Sequence, residues 1–444
     1  METQDDYGKI LEYLYSRLPM YQRIGGAAYK ADLKTTLALD RVTGHPHTAF
    51  RSVHIAGTNG KGSVSHMLAS VLQECGLKTG LYTSPHLKDF RERIRVNGAP
   101  ISRSDVIGFV NRYRDLFEKL QPSFFEMTVA LAFWYFKKCG VEIAVVETGM
   151  GGRLDSTNII EPLCSVITNI GMDHTRFLGD TPEKIATEKA GVIKKGTPVV
   201  IGEYHEDTAR IFERVASVKQ SPLHFADSYY EPEGISGMEG SSRVFSFRKK
   251  PAAQTIRVKC GLTATYQAKN LITVLKTLDV LQEKGIPLRQ GAILKGLRNV
   301  VENTGIRGRW QVVGRRPLMV ADMAHNEEGI REVIGQLSNY AYHRLHVVLG
   351  MVQDKDHEKI LGLLPGQATY YFTQASVPRS LDAGDLAVVA GKKGLEGKVY
   401  RRVAGAMDAA LSAASENDMV LVTGSTFVVA DLLEWMEGNM FSIH

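Results

Sequence analysis

From about residue 50 onward, short β-branched apolar runs alternate with segments whose apolar residues recur every three or four positions. The run Ser52-Val-His-Ile-Ala-Gly57 predicts a strand buried on both faces. Between Lys61 and Gly76, the residues Val64, Met67, Leu68, Val71 and Leu72 fall on one helical face, and Gly76 supplies a stop. Further strands are predicted at 80–83, 143–147, 165–168 and 198–201, with helical segments between most of them. Repeated β–α–β order implies a mostly parallel sheet covered by helices, with ligands held at the carboxyl ends of its strands.

The pattern changes near residue 222. Arg243-Val-Phe-Ser-Phe-Arg and Thr255-Ile-Arg-Val-Lys alternate apolar with polar residues among Gly- and Pro-rich turns, which predicts a small antiparallel excursion over 222–260 attached to the first domain. The polar stretch 299–308 reads as a linker, and a second β/α series follows with strands at 318–322, 346–349, 369–373 and 419–423. The expected organisation is an α/β domain over 1–298, with a mostly parallel sheet, and a smaller Rossmann-like α/β domain over 309–444. The cleft between two such domains is the default ligand site.

Composition narrows the class without changing this picture. Of 444 residues, 44% are hydrophobic and 23% charged, which excludes a disordered or collagenous chain. No apolar run approaches the roughly 18 residues of a membrane span; the longest, from Met127 to Phe136, is core-helix length. The first residues, METQDD, lack the basic-then-apolar pattern of a secretory signal, so a cytoplasmic protein is expected. Lys and Arg number 54 against 48 acids, a net +6 that suits anionic small substrates and requires neither nucleic acid nor membrane as a partner. The four cysteines are far apart with no CxxC pair and read as reduced core thiols.

The segment Gly57-Thr58-Asn59-Gly60-Lys61-Gly62-Ser63 sits between a predicted strand and a predicted helix. Glycines there let backbone N–H groups turn toward phosphate oxygens, the helix N-terminus favours an anion, and Lys61 reaches the β/γ-phosphates. Ile55 stands where the common GxxxxGK[ST] loop has its first glycine, and Gly62 separates Lys61 from Ser63, so this is not an ordinary kinase or GTPase loop. Strand, glycines, lysine and helix in order point to nucleotide binding by a P-loop-type sheet domain.

That variant loop resembles the one of Mur-type amide ligases. The stretches Tyr82-Thr-Ser-Pro-His-Leu-Lys-Asp-Phe-Arg-Glu-Arg-Ile94 and Val146-Glu-Thr-Gly-Met-Gly-Gly-Arg-Leu-Asp155 look like paired motifs of the folate branch, folylpolyglutamate synthase with dihydrofolate synthase. Thr168-Asn-Ile-Gly-Met-Asp-His174, Ile185-Ala-Thr-Glu-Lys-Ala-Gly191, Gly308-Arg-Trp310 and Asp322-Met-Ala-His-Asn326 agree with it. The resemblance runs from about residue 30 to Gly424-Ser425 and implies the Mur ligase architecture.

It also implies roles. Ser84 and Glu147, at strand ends, would hold the Mg2+ that bridges the ATP phosphates; a carboxylate beside Gly149, Gly151 and Gly152 suits that hard cation. His174 would bind a second Mg2+, with Lys189, carbamylated by CO2, turned from a cation into an oxygen ligand. Without the resemblance, Lys189 reads as a solvated helix residue and Ser84-Pro85 as a turn. Asn270, otherwise a helix cap, would contact ATP together with Arg309 and Asp322. His325 and Asn326 resemble the same loop, and Lys355 and Ser425 are weaker candidates for the incoming amino acid. For the pterin-bearing acid the resemblance points to Ser123, Phe124, Phe125 and Glu126 and to Leu154, Asp155 and Ser156. The phenylalanines would offer a flat apolar surface, or simply pack in the core, and the carboxylates would accept hydrogen bonds from amino and ring N–H groups.

The implied chemistry is ATP-driven amide formation: L-glutamate joined to dihydropteroate, to tetrahydrofolate polyglutamate, or to both, through an acyl phosphate, with release of ADP and phosphate. Lys61, His174 and Lys189 would act through charge and positioning, and a monomer is expected. A cell-wall Mur ligase would need a domain for its nucleotide-sugar carrier, and about 50 residues precede the loop. A nucleic-acid binder would need a basic face; Arg91, Arg93 and Arg95 are the one tight repeat, interrupted by Glu92. A catalytically dead ATP sensor would have no reason to keep Lys61, Ser84, Glu147, His174 and Lys189 together.

Overall fold

Residues 4–19 and 32–439 are described in the computed structural model. They fall into two compact units: residues up to Thr263 with Gln267–Ile306, and Ala264–Tyr266 with the chain from Arg307 onward. No helix among the described residues is long and apolar enough to cross a membrane.

The first unit is built on eight strands: β1 (Arg51–Ala56), β2 (Thr79–Tyr82), β3 (Ile94–Val96), β4 (Ala99–Pro100), β5 (Ile143–Glu147), β6 (Cys164–Ile167), β7 (Val199–Ile201) and β8 (Leu223–Phe225), in the order β4-β3-β2-β5-β1-β6-β7-β8. All neighbours run parallel except β2–β3 and β3–β4. Strand β1, β-branched and apolar, lies at the centre with five of its six residues buried. Its neighbours β5 and β6 continue in opposite directions across the sheet, so the loop after β1 opens at the switch point where α/β sheets bind ligands. Helix Lys61–Glu74 follows, and its predicted apolar face is fully buried against the sheet. Gly76, at φ +85°, ends it.

Two features differ from expectation. Leu223–Phe225 joins the parallel sheet as β8, and the antiparallel excursion is a separate sheet of β9 (Tyr230–Glu239), β10 (Ser242–Lys249) and β11 (Gln254–Cys260). A three-residue strand is too short to display a period. The stretch read as a linker contains a helix, Val300–Thr304, whose Val300 packs with Ile306 in the core of the first unit, so the boundary falls after Ile306 rather than at 298. Its polar neighbours hide a single apolar turn.

The second unit has β12 (Gln311–Arg315), β13 (Leu318–Ala321), β14 (Leu345–Leu349), β15 (Thr369–Thr373), β16 (Gly397–Tyr400) and β17 (Met419–Thr423), ordered β12-β13-β17-β14-β15-β16. Only β12 is antiparallel to its neighbour. Val320, Val347, Leu349, Tyr370, Phe372 and Leu421 fill its core together with Ile330 and Val333 of helix Glu327–Leu337.

The arginine repeat forms no basic face. Arg93 is buried and donates from Nε to His86 Nδ1 (2.7 Å), Arg91 is paired with Asp89, and Arg95 donates to the Gly98 carbonyl.

Candidate active site

The loop 57–63 leaves β1 and is wired to the loop after β6. Thr58 Oγ1 donates to the Gly171 carbonyl (3.1 Å) and accepts from Gly171 N (3.0 Å), Asn59 N donates to Asn169 Oδ1 (2.8 Å), and Thr168 Oγ1 donates to the Asn59 carbonyl (2.5 Å). Gly60, at φ +81°, caps helix Lys61–Glu74. Gly57 is at φ +146°, and a Cβ there would lie 1.8 Å from Thr168 Oγ1 and 3.1 Å from the Thr168 backbone N. Only glycine suits that combination of dihedral and crowding. Gly57→Ala is therefore expected to destabilise the first unit by about 2 kcal/mol or more and to weaken ATP binding in parallel, measured by denaturant unfolding and by nucleotide titration. Unchanged ATP affinity would detach the loop from the nucleotide.

Asn270 lies inside the first turn of helix Gln267–Glu283 rather than capping it. Its Nδ2 donates to Gln267 Oε1 (2.7 Å), and its Oδ1 stands over Gly60, 2.2 Å from where a Cβ would be. Ser63 is buried and accepts a hydrogen bond from Gln267 Nε2 (3.3 Å). Thr168, Asn169 and Gln267 thus shape the loop, although no role was expected for them. The strand-end position of Thr168 and Asn169, beside the strand that feeds the loop, was the available signal.

Two lysines converge on one oxygen. Lys61 Nζ donates to the carbonyls of Gly57 (2.9 Å) and Thr58 (3.0 Å), and Lys189 Nζ donates to the same Gly57 carbonyl at 2.7 Å. Lys189 is not solvated: it ends helix Pro182–Lys189 and is 3% exposed. Burial, reinforced by the neighbouring Lys61 charge and opposed by Asp173 and Asp155, holds its pKa well below the ordinary lysine value. Sequence position could not reveal this, because the oxygen it meets is 132 residues away.

Glu147 is the last residue of β5, 4% exposed, and its Oε2 accepts from Ser84 N at 3.1 Å. Ser84 lies just beyond β2, which ends at Tyr82. One buried carboxylate and one hydroxyl-bearing residue are thereby brought together at the same sheet edge as the loop, a hard-oxygen pair that fits Mg2+. His174 has a left-handed backbone (φ 51°) at the start of the short helix Thr175–Leu178, and its N–H donates to Asp173 Oδ1 (2.7 Å).

Several residues expected to face the pterin are occupied by the chain itself. Ser123 and Glu126 form a reciprocal capping box on helix Phe124–Cys139. Asp155 is 5% exposed; Oδ1 accepts from Thr157 N and Oγ1, and Oδ2 from Gly149 N (2.8 Å) and Met150 N (3.0 Å). Burial pushes its pKa up while these hydrogen bonds pull it down. Asp155 holds the glycine-rich loop rather than offering free lone pairs, and Ser156 is buried as the first residue of the short turn that Asp155 caps. Phe124 is a core residue at 2% exposure, packed with Phe90. Phe125 is only half-buried; its ring lies against Gly149, 2.5 Å from where a Cβ would be, and 6.1 Å from the Tyr82 ring. Leu154 is also half-buried.

In the second unit Asp322 is 4% exposed and accepts from Tyr266 OH (2.7 Å), Trp310 N (2.7 Å) and Ala324 N (2.9 Å). It therefore ties Tyr266 and the 308–310 turn to β13. Arg309 is half-buried and donates to the Gly308 carbonyl (3.2 Å) rather than to Asp322. His325 Nδ1 lies 2.9 Å from the Met323 carbonyl, Asn326 and Ser425 cap helices, and Lys355 is half-buried.

Comparison with known proteins places this geometry in context. Residues 55–278 match the Mur ligase middle domain and residues 308–426 the Mur ligase, glutamate ligase domain. A probable bifunctional folylpolyglutamate synthase/dihydropteroate synthase of Haloferax volcanii is 37% identical over 395 residues; the match covers 87% of this chain and 46% of that protein, so the chain spans about half its length. The dihydrofolate synthase/folylpolyglutamate synthase of Bacillus subtilis is 33% identical over 406 residues, covering 88% of this chain and 91% of that one. Among solved structures, Escherichia coli FolC in complex with DHPP and ADP superposes with a TM-score of 0.83 at 28% identity, covering 98% of each chain. The Yersinia pestis bifunctional folylpolyglutamate synthase/dihydrofolate synthase with AMPPNP and Mn ion gives 0.81 at 27% identity, over 97% of this chain and 98% of that one.

Proposed function

The chain belongs to the Mur ligase family, in its folylpolyglutamate synthase/dihydrofolate synthase branch, and from that premise we propose that it joins L-glutamate to a folate-type carboxylate at the expense of ATP. Both dihydropteroate and tetrahydrofolate polyglutamates serve as acceptors on this reading, as the paired names of its relatives suggest. The observation that carries it is the convergence of Lys61 and Lys189 on the Gly57 carbonyl within an anion-binding loop.

The acceptor carboxylate attacks the γ-phosphorus, ADP leaves, and an acyl phosphate forms. The glutamate amine then attacks the acyl carbon, loses its proton, and expels phosphate. The N–H groups of Gly60, Lys61, Gly62 and Ser63 at the helix N-terminus cradle the phosphates, Thr58 N and Asn59 N are spent on Asn169 and hold the loop's shape, and Lys61 leaves its carbonyl partners to follow the transferring phosphoryl group. Asn270 closes over the loop at Gly60, and Arg309 is the second unit's group that we assign to a phosphate. Ser84 and Glu147 would hold one Mg2+ and His174 with a carbamate on Lys189 a second; bound there, the ions neutralise phosphate charge. No protein nucleophile is needed; positioning and charge supply the acceleration. We assign the enzyme to the cytoplasm, acting as a monomer.

Of the aromatic pair we assign Phe125, the half-buried one, to the flat ring of the acceptor. Phe124→Ala is expected to cost about 3–5 kcal/mol of stability as a core truncation. Phe125→Ala should cost less stability and raise the KM for the acceptor roughly tenfold, the worth of about 1–2 kcal/mol of apolar contact. Thermal unfolding beside acceptor-dependent kinetics separates the two; an unchanged KM in the Phe125 variant removes it from the acceptor site.

The test of the function is phosphate release with Mg-ATP and L-glutamate, adding dihydropteroate or tetrahydrofolate separately and weighing the products. A glutamate-sized mass gain on each acceptor is the expected result. Binding of ATP without turnover on either would leave the fold standing and retire the folate assignment.

A further inference from the structure

Asp40, His45 and His47 are, among the described residues, the one group of three histidine, cysteine or acidic side chains whose donor atoms all lie within 4.8 Å of one another. They share no residue with the nucleotide loop or the Ser84–Glu147 pair. Asp40 is in the last turn of helix Lys34–Val42 and is 4% exposed. The chain then doubles back over it: Thr43 Oγ1 donates to the Leu39 carbonyl (2.8 Å), and His45 N donates to the Asp40 carbonyl (2.8 Å). Gly44 and His45 both have left-handed backbones (φ +80° and +50°). Lys137 Nζ donates to the Gly44 carbonyl (2.8 Å), pinning the turn to helix Phe124–Cys139.

The result is one imidazole on each carboxylate oxygen. His45 Nδ1 is 2.8 Å from Asp40 Oδ2 and His47 Nδ1 is 2.7 Å from Oδ1, with the rings edge-on at 77°. We propose that this trio is a site for one divalent transition-metal ion of the zinc class, ligated by the two Nδ1 atoms and the Asp40 carboxylate, with water in the fourth position. Two neutral imidazoles and a carboxylate form a borderline donor set that favours such an ion over Mg2+. At zinc–ligand distances of about 2.0–2.1 Å, tetrahedral donor atoms stand roughly 3.3 Å apart. The three donor atoms, already within 4.8 Å of one another, need shifts on the order of 1 Å to reach that spacing around an ion. The His45 side chain is 57% exposed and that of His47 20%, which gives the ion a route in and room for its water.

Coordination shifts each ring's proton from Nδ1 to the outward Nε2 through solvent, so neutral rings bind the ion with no net proton change. The ion replaces the two ring N–H donors as the partner of a buried carboxylate. Its role is to brace the 43–49 turn immediately ahead of β1, the strand whose far end carries the phosphate loop.

The test uses the full chain, stripped with chelator and dialysed, then titrated with Zn2+ in excess Mg2+ so that oxygen-ligand sites are competed. One Zn2+ per chain by elemental analysis, with a raised thermal midpoint, is expected for the parent protein. His45→Ala and His47→Ala should each weaken zinc at least tenfold while Mg-ATP-dependent phosphate release without zinc stays at the parent level. Co2+ substitution should give a tetrahedral visible spectrum that both variants lose. A parent chain that retains no zinc under these conditions, or variants that bind it as tightly, would reduce the trio to a hydrogen-bonded clasp and overturn the proposal. His45, being exposed, keeps the test independent of folding.

Discussion

Glu147→Gln is expected to lower ATP-dependent phosphate release by about a thousandfold while the thermal midpoint stays within a few degrees of the parent. The two halves of that expectation have different physical sources. Gln keeps a side-chain oxygen to accept the Ser84 N–H that Glu147 Oε2 accepts at 3.1 Å, so the local fold has no reason to open. It removes the negative charge from a buried position at the end of β5, where hard-oxygen coordination of a cation beside phosphates needs that charge. Charge neutralisation by such a cation is worth several kcal/mol in the transition state, and each 1.36 kcal/mol is about tenfold in rate. Raising Mg2+ should recover part of the lost rate, since the variant weakens metal affinity rather than deleting the phosphate loop. A variant within tenfold of the parent at low Mg2+ would end the assignment of Glu147 as a metal ligand.

How much of this was legible depends on whether the cause is local or distant. The run Ser52-Val-His-Ile-Ala, the loop glycines and the helical face from Val64 to Leu72 carry their structure in their own periodicity, and the strand, loop and helix lie where that periodicity puts them. The edge hairpin of β3 and β4 was also within reach: Asn97-Gly98, both at positive φ, is the residue pair that a tight two-residue turn favours. By contrast, nothing in Pro182–Lys189 distinguishes Lys189 from a solvated helix lysine, because its burial is imposed by β1 and its loop. Asp155 and Glu126 show the converse. A carboxylate near glycines or aromatics looks ligand-facing in sequence, yet backbone N–H groups of loops and helix ends also reach these oxygens, a structural role the letters do not display. Phe124 and Phe125 read alike as letters, and only the packing separates a core ring from a half-exposed one.

Lys189 supports the second large expectation: loss of at least about a hundredfold in turnover for Lys189→Met, and dependence of the parent enzyme on CO2. Its Nζ is buried against a carbonyl that Lys61 also uses, so a second ammonium at that place is disfavoured and the balance is shifted toward the neutral amine. A neutral amine has the lone pair that attacks CO2; the nitrogen then loses a proton, and the product is a carbamate with one negative charge. Unmodified, the residue is a burden on the fold. Its folded-state pKa is depressed well below 10.5, so between the folded and unfolded values the unfolded chain binds the extra proton, and stability rises with pH across that window. Lys189→Met, which fills similar space without the amine, should therefore be at least as stable as the parent near pH 7 and should flatten that rise. Rates in CO2-depleted buffer, with and without added bicarbonate, decide what the residue does in catalysis. Bicarbonate-dependent recovery in the parent and none in Lys189→Met is the outcome expected of a carbamate. An inactive variant beside a parent indifferent to bicarbonate would leave Lys189 as a hydrogen-bond donor on the Gly57 carbonyl, and the second cation site would then lose its oxygen ligand.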